Sequence, residues 1–493
     1  MIKRYYAEKD NTITNAFKSD LTTVGTSSNM GQSDILEAFS IYGQTSSSSG
    51  FSSEKSRILI QFPTSQIVSD RNSGALPSSG SVDWYLRIFN AKHGQTLPKD
   101  FKLVIAPISQ SWNEGLGLDM ENYSDTDYSN WVSASSTASW TTPGGDYLTS
   151  PRYEQNFSIG TEDLEVNVSG LVESWISGTV NNYGFGIFLT SSQENDTTRS
   201  YYTKRFFARG TEFFFKQPLL EARFNSVKKD NRGNFYYSSS LASAKENINT
   251  IYLYNRVRGG LRNIPSVGTG NIYVSIFSGS SAPVGSPLVL VADGTNVLSG
   301  SPTVVTGGWV STGVYSASFA LTSATTPLET IYDVWHNGNL TNQYFTGSIE
   351  PITLNANSVG FSDKYLLKIT NLKPVYYTDE TESFRLYARP RNWYPNIYTV
   401  SQQTPSTTLI YSASYSVFRE IDNLVVLPHG TGSATLHTLM SYDVSGNYFN
   451  FDMGILEPGY IYAFEISTYN EGTGYWYKHP ETFKFRVEKR QSE

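Results

Sequence analysis

Five histidines, His93, His336, His429, His437 and His479, could supply metal ligands or a base working near neutral pH. They are scattered along the chain. His429 and His437 stand close enough to fall on neighbouring strands, but no acidic or histidine partner accompanies them at ligand spacing. A zinc site needs about three or four such ligands around one ion, so these read as surface or turn histidines, and no metal is expected. Carboxylates gather once, as Asp119, Glu121, Asp125 and Asp127. Calcium takes roughly six to eight oxygens, and a loop of this kind can offer some of them. The spacing lacks the alternation and glycine of a helix–loop–helix site, so a solvated acidic loop is the reading, with a calcium-held loop as the alternative. A glycosidase pair would need its two acids on rigid elements flanking a sugar. The chain has no G-x-S-x-G elbow, H-E-x-x-H, phosphate-binding G-x-x-x-x-G-K or G-x-G-x-x-G after a strand. It also has no cysteine, which removes thiolate chemistry and favours assembly in a reducing cytosol. No catalytic residue and no cofactor is expected.

Nine tryptophans raise the question of sugar stacking. Trp84 and Trp175 fall on apolar stripes and are expected in the core. Trp131, Trp140, Trp393 and Trp476 sit in polar or turn contexts and are the candidates for exposure, with packing under a loop or in a subunit contact preferred to carbohydrate stacking. One charge feature runs against the net −7: from Tyr201 to Arg262, twelve Lys or Arg face four acids. That excess reads either as a solvated linker or as a docking surface steered by acidic partners. Lys228, Lys229 and Arg232, taken as exposed turn residues, and Arg256, Arg258 and Arg262 are its interface candidates. Interleaved Tyr201, Tyr202, Phe206, Phe207, Tyr236 and Tyr237 give the segment the composition of an interface.

The elements that must hold these residues are strands. With 34 Tyr, 27 Phe and only 16 % charged residues, the composition favours strands and turns. Val82, Trp84, Leu86 and Ile88 alternate, as do Ile58, Ile60 and Phe62, and later Ile272, Val274 and Ile276, the period of a half-buried strand. Leu171, Val172, Trp175 and Ile176 instead form one helical stripe. Between Trp112 and Tyr153 a segment rich in Asp, Ser, Thr and Gly should be a long surface loop or short hairpin. Length suggests about three domains, placed at 1–226, 227–360 and 361–493 from changes in composition near Asn225–Leu241 and Asn355–Ser362. In the last, Leu456-Glu457-Pro458-Gly459-Tyr460-Ile461-Tyr462 has the form of a tyrosine corner, so the Tyr462 hydroxyl should bond backbone just upstream. The charged start MIKRYYAEKDNT lacks the apolar run of a signal peptide, and no apolar stretch is long enough to span a membrane. The acidic balance argues against nucleic acid as a partner.

Five motifs in the first 226 residues carry a resemblance. They are Arg57-Ile58-Leu59-Ile60-Gln61-Phe62, the strand Val82 to Phe89, the turn Trp112-Asn113-Glu114-Gly115, the helical stretch Val168 to Gly178, and the closing Pro218 to Phe224. In this order they resemble the DNRLRE-type β-sandwich, a non-catalytic module of surface and virion proteins. Ala208-Arg209-Gly210 stands where that family has an REA-like tripeptide, and departs from it. The whole chain is also similar to virion structural proteins of large tailed phages of marine bacteria (cyanophage-like). The resemblance implies an all-β chain of three consecutive β-sandwich domains, a DNRLRE-like jelly-roll type followed by two immunoglobulin/fibronectin-like ones. It implies a non-enzymatic, multi-copy virion component of the neck, tail or fibre, assembled in the host cytoplasm, whose partners are copies of itself and other virion proteins. A glycan-binding attachment protein, with a host surface glycan as partner, is the alternative. A polysaccharide-degrading enzyme stands behind it.

Overall fold

The computed structural model describes residues 1–47, 50–93, 98–124, 127–290, 302–322, 327–354, 365–392, 394, 396–400, 407–430, 436–470 and 473–490. They are all-β, and the chain divides into two compact units, Ile2–Phe224 and Asn225–Glu493, with Met1 grouped with the latter.

The first unit is a sandwich of two antiparallel sheets. One has the order Ile2–Tyr6, Leu219–Phe224, Val82–Ile88, Leu164–Asn167. The other runs Ser200–Phe207, Ile35–Ser47, Gly50–Gln61, Phe185–Leu189, Phe101–Pro107, Tyr153–Phe157, with Lys9–Thr14 also paired to Gly50–Gln61. Period-2 alternation decides which side chains go inside. Val82, Trp84, Leu86 and Ile88 are buried while Asp83 is exposed, and Ile58, Ile60 and Phe62 are buried from the other sheet. The helix Ser169–Ile176 lays Leu171, Val172 and Trp175 on this core, with Trp175 edge-on to Phe185 at 4.8 Å between ring centres. It is pinned to the Val82–Ile88 strand, since Trp84 donates its indole N–H to Glu173 Oε1 at 3.0 Å and its backbone N–H to Ser169 Oγ at 2.8 Å. Trp84 and Trp175 are both core residues.

The Trp112–Tyr153 segment is more ordered than a surface loop. It contains a small hairpin, Ser133–Ser135 with Ala138–Ser139, and buries Trp112, Trp131 and Trp140 with Ile13, Leu59 and Ile108 in a cluster of its own.

The second unit holds two more sandwiches. The first is one continuous sheet, ordered Asn249–Tyr254, Val314–Phe319, Val305–Ser311, Ile272–Ser278, Ile331–His336, Gln343–Ile349. Val305–Ser311 pairs with Ile272–Ser278 through residues 305–307 and with Val314–Phe319 through residues 308–311, so the sheet turns over at Gly307-Gly308. Its halves enclose Ile251, Tyr315 and Phe319 against Ile272, Val274, Ile276, Ile331 and Trp335. The second sandwich has sheets ordered Tyr365–Ile369, Thr381–Pro390, Gly446–Asp452, Ser441–Asp443 and Val375–Tyr377, Tyr475–Glu488, Ile461–Asn470, Ala413–Arg419, Leu424–Leu427. Aromatic rings fill it, Phe464 lying 4.8 Å from Phe384, 4.7 Å from Phe485 and 5.1 Å from Phe449. The Tyr462 hydroxyl donates to the Glu457 carbonyl at 2.8 Å from a fully buried ring, which is the tyrosine corner of an immunoglobulin-like sandwich. The boundary expected at Asn355–Ser362 lies outside the described residues.

The stretch after Phe224 is a strap. Tyr442 donates its N–H to the Lys228 carbonyl at 3.0 Å and accepts from the Asp230 N–H at 3.1 Å. A few residues on, Ile352 donates to Phe235 at 2.7 Å and accepts from Tyr237 at 3.0 Å. Asn234 and Tyr236 also hydrogen-bond the Tyr411 hydroxyl. This segment is therefore stitched to both sandwiches of its unit.

Candidate functional site

The histidines are held inside the structure. His336 is fully buried. Its Nδ1 accepts the Gly338 N–H at 3.0 Å, which leaves the Nε2 proton for Ser275 Oγ at 3.0 Å. His479 shares a 2.9 Å bond with Thr468 Oγ1. Burial lowers the pKa of both, which keeps them neutral. His437 is buried in the short turn Leu436–Thr438. His93 is half-buried and also held down by burial.

His429 has a partner that spacing could not reveal. Its Nε2 lies 3.2 Å from Glu465 Oε1 and 3.1 Å from Ser467 Oγ, and its Nδ1 lies 3.4 Å from Ser414 Oγ. Burial lowers this histidine too, although Glu465 works in the opposite direction. A serine, a histidine and a carboxylate thus share one site. Ser414, however, is fully buried on Ala413–Arg419 and bonded to Thr438 Oγ1 at 3.0 Å, so no acyl carbon reaches its oxygen while the strand stays paired. Among the described residues, no group of three His, Asp or Glu is placed to hold a metal ion.

The carboxylates are also bound. Glu114, from the Trp112-Asn113-Glu114-Gly115 turn, takes Arg209 in a two-point grip at 2.6 and 2.6 Å and accepts the Asp10 N–H at 2.8 Å. Asp10 in turn accepts the Arg209 N–H at 2.6 Å. Burial pushes Asp10 up to about 7, against that N–H, and the like charge of Glu114 adds to the rise. Glu221 is held by Arg4, Arg87 and Arg223 at 2.9, 3.1 and 2.8 Å. Burial alone would raise its pKa, but the three guanidiniums outweigh burial and hold it at about 2. A polar cleft of about 510 Å³ lies beside Arg57, Asp146, Tyr147 and Arg152. Arg57 is gripped by Glu194 and the Gly144 carbonyl, and Asp146 accepts the N–H groups of Thr141 and Thr142, so two of its charges are already engaged.

The basic segment breaks into two kinds of residue. Lys204 is fully buried, donating to Asn90, Gly160 and Glu162 at 2.6, 2.8 and 2.7 Å, and burial lowers its pKa to about 8. Arg205 pairs with Glu37 and Arg223 with Glu165. Two of the supposed exposed turn residues need correction. Arg232 grips Asp333, a fully buried carboxylate that also accepts the Trp335 indole N–H, at 2.6 and 2.5 Å. Lys228 is half-buried in the strap, its amine 3.3 Å from Ser311 Oγ, and burial lowers its pKa. Lys229 is exposed.

Arg256, Arg258 and Arg262 are different. Arg256–Val257 and Gly260–Leu261 form a two-stranded hairpin whose turn residues, Arg258 and Gly259, have φ of 53° and 84°. Two positive φ values in a two-residue turn match the twist of the strands on either side. The base is locked: Asn255 donates to the Gly313 carbonyl at 2.7 Å, accepts the Arg262 N–H at 3.0 Å, and sends its side-chain amide to the Arg262 carbonyl at 2.6 Å. Asn263 Oδ1 accepts from Gly313 at 2.7 Å and from the Trp309 indole at 3.1 Å. All three arginines are exposed, and among the described residues none pairs with an acid. Val257 and Leu261 stand beside them, 46 % and 36 % exposed. Of the tryptophans named for exposure, Trp131 and Trp140 are buried, Trp476 is half-buried against Tyr469, and Trp393 lies outside the described residues.

No family model matches the chain. No curated protein matches it either. Among solved structures it has a likeness to the N-terminal Ig1-2 module of the Drosophila receptor protein tyrosine phosphatase DLAR, 8 % identical over 49 % of this chain and 90 % of that one, with a TM-score of 0.14. A DUF4785 family protein of Legionella pneumophila is 9 % identical over 92 % of this chain and 90 % of that one, with a TM-score of 0.13. Scores this low add nothing to the strand order described above, and the β-sandwich architecture rests on the sheets themselves.

Proposed function

We propose that the chain is a non-enzymatic virion structural protein, a multi-copy component of the neck, tail or fibre of a tailed phage, working through contacts between β-sandwich surfaces. The placement in a virion rests on the sequence resemblance. The observation that supports a contact-making role is the Arg256–Leu261 hairpin, an exposed, positively charged tip, whereas the acids and histidines that could do chemistry are mostly buried or bonded elsewhere in the chain. A reacting group must be within reach of its substrate, whereas a docking group needs only exposure and complementary charge. The burial of Trp131 and Trp140 removes two of the surfaces a glycan would stack on.

The test is to purify the particles of the phage that encodes the chain, identify it among their proteins, and locate it in averaged electron images. The expected result is density for several copies outside the main shell. Absence from purified particles overturns the reading. So does release of reducing ends from host glycans by the isolated chain, if changing a single carboxylate abolishes that release.

A further inference from the structure

The geometry points to the Arg256–Leu261 hairpin docking on the acidic, apolar loop at residues 116–124 of a second copy of this chain. This inference rests on the multi-copy reading above and names the contact. The hairpin carries three arginines without an acidic partner among the described residues and two exposed aliphatic side chains. A solvated basic tip contributes little to its own fold. A partner that covers it must offer negative charge around an apolar patch.

The first unit presents such a surface. Leu116, Leu118 and Tyr123 are 67 %, 51 % and 38 % exposed, which is unusual for three large apolar side chains on one short loop. Asp119 and Glu121 lie among them, and Asp20 and Asp127 are exposed close by in sequence or space. Lys18 donates its amine to the Glu121 carbonyl there at 2.9 Å.

The loop is as firmly held as the hairpin. Asp119 Oδ1 accepts the N–H groups of Asn122 at 2.7 Å and Glu121 at 2.8 Å. Those bonds, led by Asn122, hold the Asp119 carboxyl below its usual range, so it stays ionised. Glu121 Oε1 accepts the Ser19 N–H at 2.7 Å, Ser28 Oγ donates to the Met120 carbonyl at 2.7 Å, and Gly117 donates to Asn29 Oδ1 at 2.8 Å. Gly117 sits so close that a Cβ there would fall 1.9 Å from the Asn29 carbonyl oxygen. Two preformed surfaces of opposite charge and similar apolar content lose little conformational freedom on docking. Because the patches differ, a single hairpin–loop contact leaves one loop and one hairpin uncovered, through which further copies can add.

The test uses the full chain in sedimentation at about 50 and 300 mM salt over a range of concentrations. The hairpin variant is R256E/R258E/R262E and the loop variant is E121K/D127K, each checked for an unchanged thermal midpoint. The wild type is expected to self-associate, about tenfold more weakly at the higher salt. Each variant alone should be monomeric. A mixture of the two should associate again, since the reversed hairpin of one then faces the reversed loop of the other. V257S/L261S, which leaves every charge in place, should also weaken association.

A wild type that stays monomeric at low salt overturns the proposal. So does loss of association in the hairpin variant with no effect of the loop variant, or a mixture that fails to associate. Salt-sensitive binding of the hairpin to sulfated polysaccharide or DNA, without self-association, assigns it to a polyanion instead. None of these outcomes bears on whether the chain is in the particle, which the imaging decides separately.

Discussion

Replacing Arg232 with alanine leaves Asp333 fully buried with the Trp335 indole N–H as its remaining side-chain donor among the described residues. Removing one partner of a buried pair costs about 3–5 kcal/mol, so the Arg232→Ala chain should show a transition at lower denaturant, with R232A/D333N recovering part of the loss. Trp175→Ala removes a large buried ring against Phe185 and should cost about 3–5 kcal/mol in the first unit. Trp175→Phe should cost far less, because the Trp175 indole N–H has no partner among the described residues. Unfolding curves of the four variants check both statements. Local period was enough to place Trp84 and Trp175 inside from sequence. It was not enough for Arg232, whose partner lies 101 residues away, or for Glu114 and Arg209, separated by 95. Those pairs form only when the sheets close, and no spacing rule reports that.

The tyrosine corner was legible as an element because its turn and its aromatic strand are adjacent in sequence. Tyr462→Phe should cost about 1–2 kcal/mol by leaving the Glu457 carbonyl short of a donor, with little change in fold by circular dichroism. The Thr64–Ser73 helix was not foreseen. Only Ile67 of its side chains is buried, so it lacks the apolar stripe by which Ser169–Ile176 was recognised. The Trp112–Tyr153 segment, expected as a long surface loop or short hairpin because its composition is polar, does contain a short hairpin, but it also builds a core of its own. Its three tryptophans are spaced irregularly, yet they pack against the Gly50–Gln61 strand through Leu59. The basic segment misled in another way. Counting charge along the chain cannot tell Lys204, which is buried and fully bonded, from Arg258, which is exposed at a turn.

Across the whole molecule, acids shifted in opposite directions make opposite contributions to stability as pH changes. Glu221 titrates at about 2 in the folded chain against an ordinary 4.5, so its contribution is complete above 4.5 and is lost as pH falls toward 2. Asp10, at about 7 against 3.8, acts with the other sign: ionising it costs more in the folded state, so stability falls as pH rises from about 4 to 7. Asp230, pushed by burial to about 6, does the same in the second unit. The histidines His336, His429 and His479, held by burial below their ordinary pKa, act with the opposite sign to Asp10 and add stability as pH rises through 6.5. Asp10→Asn should therefore gain in melting temperature over the wild type as pH rises from about 4 to 7, a difference that scanning calorimetry from pH 3 to 8 measures. The strap after Phe224 has a mechanical consequence. Its parallel bridges Lys229 to Tyr442 and Tyr236 to Ile352 leave no slack between the two sandwiches of the second unit. Load entering one sandwich would pass to the other without first paying out a tether. Under tension the pair would behave as one stiff strut until those few hydrogen bonds sheared together.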